Sequence, residues 1–148
     1  MEQTMGKRFW ICGLVMSVAA LLLGFVVHGL LLAPDYQALG ALYRGDAESR
    51  HYVHWMVLAH AFVGYAMTWI YAQGFSGERS TSMQGLRFGL AMALFTTIPG
   101  FLVHYAVQPV PAALVVKQVV LGTIAMLLLG LLVAWLQPVR RVLGEPPG

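Results

Sequence analysis

Acidic side chains are few in this chain, and its long apolar stretches hold none. The six carboxylates, Glu2, Asp35, Asp46, Glu48, Glu78 and Glu145, all fall in polar or terminal segments. Carboxylate-coupled antiport needs an ionisable acid inside a membrane helix, so that mechanism is excluded. Cysteine is equally scarce: the lone Cys12 lies in the first apolar run without an internal partner, which rules out dithiol redox chemistry. No serine or threonine is set with a histidine and an acid for nucleophilic catalysis, and no glycine loop precedes a basic residue as a phosphate cradle requires. Ordinary hydrolases and nucleotide enzymes are thereby set aside.

What the chain does have is apolar length. Hydrophobic residues make up 59% of its 148 positions and charged residues 10%, whereas soluble domains carry roughly 25% charge. The composition predicts an all-α polytopic membrane protein, a single domain over 1–148 built as an antiparallel bundle of four transmembrane helices. The spans are expected at about 9–32, 52–73, 86–107 and 112–136. The first run, of roughly 24 residues, exceeds a signal-peptide core and is expected to remain in the mature protein. Between the first two spans Pro34 is expected to stop the helix, and Tyr36, Leu39 and Tyr43 recur at helical spacing, predicting a short surface helix over 35–43. The polar turn GFSGERSTSMQ, containing Gly77 and Glu78, separates spans two and three. Pro99 followed by Gly100 predicts a kink in span three, Pro111 suits the first turn of span four, and Pro138 ends it.

The net charge of +3 could suggest a nucleic-acid partner, but the basic residues stand in small groups at helix ends, so none is expected. Lys7, Arg8, Arg79, Arg87, Arg140 and Arg141 lie on the terminal side, and only Arg44, Arg50 and Lys117 on the other. The positive-inside rule then puts both termini in the cytoplasm, with a bacterial inner membrane as the expected location.

Candidate chemistry resides in the histidines, above all in the stretch HYVHWMVLAHAFVGY from His51 to Tyr65. His51 and His54 stand at the water boundary, where imidazole also serves as an ordinary interfacial residue. Ionisable groups deeper in a span usually face the bundle interior, and membrane helices pack through small residues. At about 100° per residue His28 aligns with Gly24 and Ser17, His60 with Gly64 and Thr68, and His104 with Gly100, Thr97 and Ala93. Gln118 shares its face with Gly122 and Ala125, whereas Lys117 points outward. His28, His60 and His104 are therefore candidate metal ligands, and with Gln118 they are candidate cofactor-binding residues. Neutral imidazole ligates metal ions and b-type haem, and His28 with His104 come nearest to matching depth for haem. A quinone pocket or proton relay lined by His60, Tyr65 and Tyr105 is the other chemical reading. Hydrogen bonding between helices is the purely structural one.

Gly85, Gly89 and Ala93 follow one another at four-residue intervals in span three, and Gly130 with Ala134 repeats the pattern in span four. Such stripes let backbones approach closely, either inside the bundle or against another protein.

The segments GFVVHGLLLAPDYQ and GLRFGLAMALFTTIPGFLVHYAVQPVP, with the apolar last span containing Met126 and Trp135, carry a resemblance. In outline the chain resembles a family of small four-helix bacterial inner-membrane proteins known only as a domain of unknown function. The histidines depart from that family, save for the pair His104 and Tyr105. The resemblance implies the topology and no catalytic residues. The functional expectation is a non-enzymatic accessory or assembly subunit of a larger membrane complex, with a homo-oligomer as the other form of association. The alternative is a membrane redox protein binding haem, metal or quinone through its histidines.

Overall fold

The structure is a computed structural model that describes residues 6–40, 42–74 and 80–137. It is all-α. Four helices are long and apolar enough to cross a membrane: α1 (Lys7–Leu31), α3 (Ala47–Gln73), α4 (Thr81–Val107) and α5 (Ala112–Leu136). The short α2 (Ala33–Ala38) joins α1 to α3. Arg79, Arg140, Arg141, Glu2, Glu145 and the expected stop at Pro138 lie outside the described residues, as do positions 75–79 of the polar turn, Gly77 and Glu78 among them.

Local chemistry explains where these helices begin. Ser80 has an extended backbone and its hydroxyl accepts the N–H of Met83 at 3.4 Å, so α4 starts several residues before the hydropathy pattern suggests. The first long helix ends at Leu31, ahead of Pro34, and the proline also begins the next helix. It occupies the first turn of α2, where a missing N–H costs nothing, and α2 then ends at Ala38, short of the expected 35–43. Pro111 precedes α5 as its N-cap.

Two π-helical segments interrupt the long helices. Phe25–Leu31 ends α1, and Ala93–Thr97 lies in α4 immediately before Pro99. The second is the answer to the proline: a wider turn absorbs the lost donor, while the Thr96 hydroxyl donates to the Met92 carbonyl at 2.7 Å.

Small residues set the packing. Along α1 and α3, Gly13 lies under the Tyr65 ring, Gly64 faces the Ser17 backbone, and Gly24 lies against His60. The Ser17 hydroxyl donates to Gly13 O at 2.7 Å and lies 3.3 Å from the Ala61 carbonyl across the interface. Along α4 and α5, Gly85 meets Gly130 and Leu131, and Gly89 meets Met126 and Leu127. In both pairs the contacts ascend one helix as they descend the other. Gly85, Gly89, Ala93, Gly130 and Ala134 are all buried, so both small-residue stripes serve the interior of this chain.

Helices α1 and α5 join the two pairs through a core of Met16, Ala20, Met67, Tyr71, Leu129 and Val133. At one end Arg8 donates to the Leu136 carbonyl at 2.8 Å, suiting the negative end of the α5 dipole. At the other, Lys117 pairs with Asp35 of α2 at 2.8 Å, an exposed ion pair worth about 0–1 kcal/mol.

Helices α3 and α4 behave differently. Their rings meet at Tyr71 and Phe88, 5.1 Å between centroids, and elsewhere their backbones scarcely approach. A cleft is left between them, floored by α1 and α5. Large apolar side chains face outward on its two sides, with Phe62 69% and Phe95 77% exposed, a surface compatible with an integral membrane protein.

Candidate functional site

The cleft holds a cavity of about 810 Å³. Its long portion is apolar, walled by Phe62, Val63, Ile70, Met92, Phe95 and Met126, and its end nearest α2 is polar. His28, His60, His104 and Gln118 all line it, each from a different long helix. Helical alignment thus picked out four side chains that line one cavity. His51 and His54 stay outside on the surface, His54 against the Trp55 ring at 5.2 Å.

The polar end is organised by Tyr36, which sequence reasoning had placed only on a surface helix. Gln118 Nε2 donates to the Tyr36 hydroxyl at 3.1 Å, and that hydroxyl lies 2.7 Å from His28 Nδ1. An oxygen already accepting from the amide completes its valences by donating its own proton, so Nδ1 of His28 is the acceptor. The proton of neutral His28 then sits on Nε2. The Tyr36 and His28 rings stack with centroids 6.0 Å apart, and Tyr43 closes over Tyr36 at 4.8 Å.

His60 is fixed in the opposite sense. Its Nδ1 donates to the Met56 carbonyl one turn back, at 2.6 Å, so Nε2 keeps its lone pair and rests over Gly24. Among the described residues two buried atoms at the site have no protein partner: Gln118 Oε1, on a side chain only 3% exposed, and the Tyr43 hydroxyl.

Two expectations are corrected here. Among the described residues no three or more of His, Cys, Asp and Glu are gathered closely enough to hold a metal ion, so His28, His60 and His104 do not form a metal triad. One nitrogen of His28 is engaged by Tyr36 and one nitrogen of His60 by its own helix. Tyr65 and Tyr105 do not line the cavity. Tyr65 packs on Gly13 and Trp10 towards the other end of α1, and Tyr105 is exposed. Tyr43 is the tyrosine that lines the cavity, with Tyr36 packed against it.

Burial pushes the Tyr36 phenol above its ordinary value of 10.0; the hydrogen bond from Gln118 opposes this, while Tyr43 and Asp35 reinforce it. The folded chain holds that proton more tightly than the unfolded chain does. The associated stability is complete below about pH 10 and declines as pH rises through the folded value. Thermal unfolding in detergent is expected to show a midpoint insensitive to pH from 8 to 9.5 and falling above 10, with the fall reduced in Tyr36→Phe. Equal falls in both proteins would count against this origin.

Fold and site together define a class: an all-helical protein with four helices able to cross a membrane around a mainly apolar cleft with a hydrogen-bonding end. No family model matches the chain, and neither a curated protein nor a solved structure matches it.

Proposed function

We propose that this chain is an antiparallel four-helix bundle of a bacterial inner membrane, with both termini cytoplasmic, that binds a lipid-soluble amphiphile between α3 and α4. The supporting observation is a polar cluster buried at the end of an apolar cleft, with Gln118 Oε1 left unpartnered there. Ligand sites are mostly apolar cavities of ~300–1,000 Å³ with a few placed polar groups, and buried polar atoms normally find partners. A tail lies along the apolar walls and enters from the bilayer, while the head reaches the polar end. The reading is non-enzymatic. Such a protein serves as an accessory subunit, holding its ligand for a larger membrane complex.

A haem-binding reading is favoured by one detail. His60 Nδ1 donates to a backbone carbonyl, as ligating imidazoles commonly do, leaving Nε2 free.

Gly100 provides the test, because it lines the cavity and a Cβ there would meet nothing within 4 Å. Gly100→Leu should fill the cleft and leave the fold intact. Solvent extraction and mass spectrometry of the full chain purified in mild detergent are expected to recover a lipid-soluble species at least about tenfold depleted in Gly100→Leu, roughly 1.4 kcal/mol of affinity. Equal recovery from both proteins overturns the cleft as the site. A Soret band lost in His60→Ala moves the assignment to haem. A chain that migrates alone or only with copies of itself defeats the accessory role.

A further inference from the structure

We propose that the cleft selects a neutral, hydroxylated aromatic head, a quinol in preference to the corresponding quinone, with Gln118 accepting one of its hydroxyl protons. This rests on the reading of the cleft as an amphiphile site and goes further, to the chemistry of the head.

Charge is the first constraint. Among the described residues no Lys, Arg, Asp or Glu lines the cavity. A phosphate, carboxylate or ammonium head drawn into it would lose its hydration with no counter-ion to replace it. Phospholipid and fatty-acid heads are disfavoured on that ground, and a neutral head is required.

Hydrogen-bond polarity is the second constraint, and it is asymmetric. Gln118 spends one of its two amide N–H groups on Tyr36, and its atom that is buried without a partner among the described residues is the carbonyl oxygen, an acceptor. His60 spends its N–H on Met56, so it too offers a lone pair. Against these two acceptors His28 provides one N–H at Nε2, a neutral His104 brings one N–H and one lone pair, and the Tyr43 hydroxyl can act either way. The buried atom left without a partner that can only accept is therefore Gln118 Oε1, and it calls for a donor from the ligand. A quinol brings two hydroxyl donors, and its oxygens can still accept from His28 and Tyr43. A quinone brings none, leaving Gln118 Oε1 unpartnered while the apolar contacts stay the same.

Discrimination of this kind is large because the unfavourable complex retains a buried, unsatisfied group. The ring also suits its surroundings. Phe101 and His28 stand with centroids 6.3 Å apart, and Tyr36 and Tyr43 lie behind them, so aromatic faces surround the polar atoms.

The experiment uses the full chain in nanodiscs under argon, titrated calorimetrically with a decyl-chained benzoquinol and with the matching benzoquinone. The quinol is expected to bind at least about tenfold more tightly. In Gln118→Met, which keeps length and removes the acceptor, the two forms should bind within about twofold of each other. Wild-type binding of the quinone as tight as, or tighter than, that of the quinol overturns the proposal without recourse to any variant. So does a preference that survives Gln118→Met. If neither form binds, the head assignment falls, whereas the amphiphile reading falls only if Gly100→Leu also leaves the extracted lipid unchanged.

Discussion

Gly89→Leu is expected to abolish recovery of the folded protein. A Cβ at this position would lie 2.5 Å from the Met126 carbonyl oxygen and 2.8 Å from the Leu127 Cα, and both obstacles are backbone atoms that cannot rotate aside. The close approach is mutual, since a Cβ on Gly130 would lie 2.7 Å from Gly89 N and Cα. To admit a leucine the two helices must separate along the stripe, and Gly85, Ala93 and Ala134 would lose their partners with it. Overpacking costs about 1–3 kcal/mol where the surroundings can yield, and more where they are main chain. Without a hydrophobic driving force between helices in lipid, this packing is a main source of association energy. Gly89→Ala should give a milder loss, and Gly100→Ala close to none, because open space surrounds Gly100. Monodisperse yield after detergent extraction and the unfolding midpoint are the readouts. Wild-type values for Gly89→Leu would refute this account of the α4 and α5 contact.

The four long helices were legible because apolar length and small-residue spacing are local properties that the fold preserves. The same periodicity picked out His28, His60, His104 and Gln118, whose angular positions on four helices do point to one cavity. Direction around a helix is not depth or ring orientation, however. His60 turns back onto Met56, and His28 towards Tyr36, contacts that no periodic pattern encodes, which is why a metal triad was expected and is not assembled.

Tyr36 and Tyr43 were missed as site residues for a different reason. They belong to the connection between α1 and α3, and only the early start of α2 at Ala33 brings Tyr36 back against Gln118, 82 positions away in the chain. A signal was present in hindsight: Pro34 and Asp35 ahead of Tyr36 form a helix start, with proline in the first turn and an acid near the N-terminus. The π segments had weaker signals. Pro99 marks one of them, whereas Phe25–Leu31 contains no proline, and it is this segment that presents His28 to the cavity.

Tyr36→Phe removes one oxygen and is expected to destabilise the protein by about 2–4 kcal/mol, since it orphans two neighbours at once. His28 Nδ1 loses its donor and Gln118 Nε2 loses its acceptor. The ring remains, so contact with Tyr43 and the core of Val27, Leu32 and Leu114 is retained, and the loss reports the hydroxyl. Breaking the exposed Asp35 pair with Lys117→Met anchors the same short helix less firmly but leaves no buried polar atom stranded, so it should cost under about 1 kcal/mol. The network has a further consequence. With Tyr36 gone, nothing holds the proton of His28 on Nε2, and the donor facing the cavity is no longer fixed. A double-mutant cycle separates these effects: His28→Phe in the Tyr36→Phe background should add much less than His28→Phe alone, with a coupling of roughly 1–2 kcal/mol in unfolding free energy. Additive losses would mean that the two side chains act independently, and the hydrogen-bonded chain from Gln118 through Tyr36 to His28 would then not be the element that orders the polar end.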